Sequence, residues 1–147
     1  MLGSINQHHL AATVTAADLS RQACRLADSV TQLVVTYKDL IGATRVVAMI
    51  TGDQLATQGF LAALACRVVQ ETGMRGNWSI QPDHGFAETD PTLAALRLIC
   101  YSGNNDPDMV AALASVTWQR GHMTVGLVTR ALIQAWEEAH EVREMLR

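Results

Sequence analysis

A chain of 147 residues, 49% apolar and 17% charged, is long enough to bury a core without metal or disulfide staples, which excludes a disordered chain. Its net charge of -3 offers no basic field to phosphate backbones, so nucleic acid is not an expected partner. Cys24, Cys66 and Cys100 are odd in number and widely spaced, which argues against a disulfide framework and for reduced, buried thiols in a cytoplasm.

Residues 1–14 are polar and aperiodic, without a basic start leading into an apolar run, and read as a flexible arm rather than a signal peptide. Residues 15–147 read as one helix-rich domain. No apolar stretch approaches the roughly 20 residues needed to span a bilayer, so a membrane is not an expected partner either.

Thr15 or Asp18 starts a first helix predicted to run to about Ile41, with Gly42 as its stop. Along it Leu19, Ala23, Leu26, Val30, Leu33, Tyr37 and Leu40 fall at alternating steps of four and three, a narrow apolar seam suited to another helix. Residues 43–51 are β-branched enough for a short strand, yet Ala43, Val47 and Ile50 continue the helical period, and helix is the favoured reading. The alternative is an α+β fold with short strands at 44–51 and 77–81.

Thr51 with Gln54 three residues on forms an expected capping box for the next helix, Asp53 to about Thr72. That helix is apolar nearly all round from Phe60 to Val69, which places it in the middle of a core. Gly59 and Ala63, one turn apart, allow a neighbouring backbone to come close, and Gly73 closes the helix. The loop at 74–90 is long for a small domain, and Trp78 and Phe86 should pin it to the body.

Asp90-Pro91 and Asp106-Pro107 each join a good N-cap to a residue that fits the first helical position. Each leads into Ala-Ala-Leu, predicting two short helices that end near Gly103 and Gly121. The last helix, from about Met123, carries a second seam: Val125, Val128, Leu132, Ala135, Ala139, Val142 and Leu146. The sum is a mostly α, compact bundle of five or six helices whose first and last are long.

Chemistry is thinly marked. Glu137 and His140 make one Glu-x-x-His step where a di-metal bundle needs two, and a pairing of His140 with Glu144 on a solvated face is the simpler expectation. His8 and His9 are too few for a deliberate metal site. Thr51-Gly52-Asp53 lacks the glycine spacing and lysine of a phosphate loop, and Arg21 and Arg25 read as solubilising. Cys66 or Cys100 would need a histidine such as His122 beside it to act as a nucleophile.

No metal or other cofactor is implied. The seams point to a protein that binds another protein or itself as a homo-oligomer, as an adaptor, a chaperone-like factor or an assembly subunit. Leu26, Leu33, Tyr37, Leu132 and Trp136 are the candidate contacts, Trp136 and Trp118 being the aromatic anchors. The rival reading is a small enzyme with its site under the 74–90 loop, where Trp78, Asp83 and His84 are the candidates and His84 has the intrinsic character of an acid or base.

Overall fold

The computed structural model describes residues 16–74 and 76–147, so the arm expected at 1–14 lies outside the described residues. The described chain is helical: α1 (Ala16–Val35), α2 (Leu40–Ile50), α3 (Gln54–Thr72), α4 (Pro91–Gly103), α5 (Pro107–Gln119) and α6 (His122–Met145). Among the described residues there is no strand, so the α+β alternative falls. Residues 43–50 lie in α2, and 77–81 follow an irregular path.

The first helix is shorter than its seam. Val34, Val35 and Thr36 form a β-branched run that holds a helix poorly. The last turn widens, with the Tyr37 N–H donating to the Gln32 carbonyl at 3.2 Å. Lys38 then turns the chain with φ 57°. Asp39 opens α2 by accepting the Gly42 N–H at 2.9 Å. Gly42 is therefore not the stop of one long helix but part of the first turn of the next, where the Asp39 carboxylate takes the space a Cβ would need. Tyr37 and Leu40, counted into the seam, are exposed instead.

The expected capping box does not form. Asp53, nearer the free N–H groups, caps α3 by accepting from Leu55 at 2.9 Å and Ala56 at 3.2 Å. Thr51 closes α2, its hydroxyl donating to the Ala48 carbonyl, and Gln54 reaches across to the Ser115 hydroxyl at 2.8 Å. The remaining stops behave as the sequence implies. Gly73 ends α3 in the left-handed conformation, and Asp90 and Asp106 cap α4 and α5 with proline next to them.

Helix α3 is the centre. It packs against α1, α4, α5 and α6, burying Thr57, Phe60, Leu61, Leu64, Ala65 and Val68. At Gly59 the missing side chain lets α1 approach, since a Cβ there would stand 3.2 Å from that of Ala23. Phe60, Leu61, Leu98 and Leu132 are fully buried, and each contributes roughly 1.5–3 kcal/mol of hydrophobic stabilisation. Helix α2 is the outlier, leaning on α1 through Ala43, Val47 and Ile50 and only lightly on α6.

Ion pairs and hydrogen bonds fix which ends meet. Arg67 of α3 pairs with Asp28 of α1, and Glu71 of α3 with His140 and Arg143 of α6. At the opposite end Thr51 meets Trp118 and His122. The turn at 36–39, the close of α3 and the last turns of α6 therefore share one end of the bundle.

Candidate functional site

After α3 the chain doubles back along α4 as a strap, residues 76–90. Its start is locked in three ways. The Trp78 N–H donates to Asn104 Oδ1 at 2.6 Å, and Asn104 Nδ2 donates to the Trp78 carbonyl at 2.9 Å. The Trp78 indole lies over Gly103, where any Cβ would collide with the ring. Farther along, Glu88 receives both Arg97 terminal nitrogens, at 2.8 and 3.0 Å. A bidentate guanidinium–carboxylate pair fixes both groups in one plane.

Between strap and helix lies a cavity of about 310 Å3, which has Trp78, Ile80, Pro82 and His84 on the strap side. Leu93, Arg97, Cys100, Tyr101 and Asn104 line it from α4. These α4 positions recur at helical spacing on a face separate from Ala94, Ala95, Leu98 and Ile99, which enter the core. The helix is thus packed on two sides, which explains why its apolar pattern is broad.

The polar groups of the cavity are held in fixed attitudes. His84 Nδ1 accepts the Phe86 N–H at 2.9 Å, and its ring stacks on Phe86 with centroids 5.7 Å apart. A ring nitrogen that accepts carries no proton, so in the neutral imidazole the donor is Nε2. The hydrogen bond and charge of Arg97 hold the Glu88 carboxyl below its usual range. Burial pushes the Cys100 thiol up, keeping it protonated and a poor nucleophile near neutral pH. Of the three loop candidates, Trp78 and His84 line the cavity; Asp83 stays exposed and outside its lining.

The seam candidates divide by depth. Leu132 is fully buried inside the chain, and Leu26, Leu33 and Trp136 are partly buried against the core. Only Tyr37 is open to solvent, at 65%. Most of both seams is thus taken up by packing within the chain. Trp136 stacks on His140 with centroids 4.9 Å apart and 9° between planes, and the Arg67 guanidinium lies 5.8 Å from its ring. His140 turns to Glu71, 2.8 Å away, rather than to Glu144 on its own helix. Among the described residues no three His, Cys, Asp or Glu side chains are grouped to hold a metal.

The thiols depart from expectation. Cys24 and Cys66 are exposed and Cys100 is half-buried. Each of the first two sits one residue past a buried alanine, Ala23 or Ala65, and so about a quarter-turn off the core-facing line. Partial desolvation of its sulfur by the helices around it, and then the nearby Cys24, raise the Cys66 thiol although the residue is exposed. His122 meets neither cysteine partner proposed for it; its Nδ1 lies 2.6 Å from the Thr51 hydroxyl, beside the Trp118 indole N–H that donates to the Thr51 carbonyl at 2.9 Å.

Arg97, Tyr101 and Asn104 were not legible as site residues. The readable signal was their spacing, which with Leu93 and Cys100 marks a second face on α4. Glu71 as the partner of His140 left no trace, because the two stand far apart in the chain. No helix among the described residues is long and apolar enough to cross a membrane. Comparison with protein-family models, curated proteins and solved structures finds no match to this chain.

Proposed function

We propose that this is a protein-binding module of the cytoplasm whose first partner is a second copy of itself. The contact surface is the end of the bundle formed by the 36–39 turn, the close of α3 and the last turns of α6. One observation carries the reading: six large apolar side chains at that end are exposed, although Met49, Leu55 and Met123 are exposed at the opposite end too. Tyr37, Leu40, Ile41 and Met74 are each more than 60% exposed, and Met145 and Leu146 reach 83%. Large apolar side chains exposed together are characteristic of association sites.

Charge favours a second copy over a strongly charged partner. The segments that carry the apolar groups also carry both signs, Lys38 and Asp39 in one and Glu141, Glu144 and Arg147 in the other. A surface carrying both signs can satisfy itself across a two-fold axis, as an isologous dimer requires. The three free cysteines are consistent with a reducing compartment.

Sedimentation velocity of the full chain tests the proposal. A dimer in the micromolar range is expected, and Ile41→Glu or Met145→Glu should leave a monomer with an unchanged melting temperature. A wild-type chain that stays monomeric toward millimolar concentration, or a dimer indifferent to both substitutions, overturns it.

A further inference from the structure

We propose that the cavity beneath the strap binds a small planar molecule carrying a carboxylate, its ring against Trp78 and Tyr101 and its carboxylate on Arg97. This stands apart from self-association, which uses other residues.

The first ground is preorganisation. Three cavity walls are each oriented by a second group. Asn104 and Gly103 fix Trp78, the Phe86 N–H fixes His84, and Glu88 fixes Arg97. Binding sites hold their contact groups in this way, because groups already ordered lose little entropy when a ligand arrives. A mere connection between two helices does not require it. The cavity of about 310 Å3 suits a ligand of one or two rings.

The second ground is charge. The chain as a whole is acidic, yet the Glu88 carboxylate is held by both terminal nitrogens of Arg97, at 2.8 and 3.0 Å. A carboxylate position facing a guanidinium fork has thus been built into an anionic molecule. Glu88 occupies it, but weakly committed, since its side chain is 75% exposed. An incoming carboxylate takes the same fork on Arg97 while Glu88 swings into water. Exchanging one carboxylate for another creates no unpaired buried charge, so affinity comes from covering the aromatic and aliphatic walls. His84 Nε2 is the second donor available to the ligand.

The two carboxyl groups therefore compete, and this gives the test. Benzoate, nicotinate and indole-3-acetate are titrated against the full chain, with benzamide and nicotinamide as neutral counterparts. The readout is the indole N–H resonance of Trp78, identified by its loss in Trp78→Phe. The carboxylates should shift it saturably and bind at least about tenfold tighter than the amides. Arg97→Gln should abolish the shift.

Glu88→Gln breaks the same strap contact but removes the competitor, and should tighten binding severalfold. If both variants lose binding alike, Arg97 only fastens the strap and the proposal fails. It fails equally if amides bind as well as acids, or if no carboxylate moves the Trp78 signal at millimolar concentration.

Discussion

Lys38 sits at φ 57°, in a region where a side chain crowds the following carbonyl at a cost of about 1–2 kcal/mol. Asn105 takes nearly the same conformation, φ 54°, between α4 and α5, but asparagine is among the residues that tolerate it. Lys38→Gly should therefore raise the unfolding free energy by about 1 kcal/mol in a urea titration, with the slope unchanged. A loss would mean that the lysine side chain makes a compensating contact. The buried threonines follow a different economy. Thr31, Thr117 and Thr129 each return their hydroxyl to the carbonyl four residues back, and Thr57 does so while also reaching Ile50. Every one of these polar atoms is satisfied within the helix or its neighbour, so none weakens the core.

At the scale of elements, the seam of α6 belongs to the core in its first half and to solvent in its last turns. Leu132→Ala should cost about 2–5 kcal/mol in the same titration, whereas Tyr37→Ala on the exposed turn should stay within about 0.5 kcal/mol. The strap carries its own pH dependence. Arg97 lowers the Glu88 carboxyl, so the pair holds above the usual glutamate range and is lost as pH falls through the lowered folded value. Amide resonances of 84–90 should accordingly move with a midpoint below that of an exposed glutamate, and Glu88→Gln should erase the transition. The contrast between α3 and α1 explains what the sequence allowed. Helix α3 declared itself by an apolar surface on all sides, a property of its own residues. The break in α1 was hidden because Ala43, Val47 and Ile50 resume the period after the turn, leaving periodicity blind to it. Asp39 with Gly42 was the local clue. The strap cavity and the Glu71–His140 contact depend on residues distant in sequence, which no local pattern encodes.

The described residues form two successive trios of helices joined through the strap: α1 to α3, then α4 to α6. Their apolar faces form a single core, in which Phe60, Leu61 and Leu64 of the first trio meet Leu98, Val128 and Leu132 of the second. The apolar end and the strap cavity lie outside that core, so substitutions that test the proposed self-association and the proposed ligand binding need not unfold the chain. Among the described residues the strap is also the one long stretch between helices, with Gly85 exposed at φ 77° near its middle. Severing the backbone there leaves each of the six described helices whole and divides the interior between two polypeptides. Neither piece can shelter its half from water alone, so the two become obligate partners, and the protein can be operated as a split pair whose reunion reports on whatever brings the fragments together.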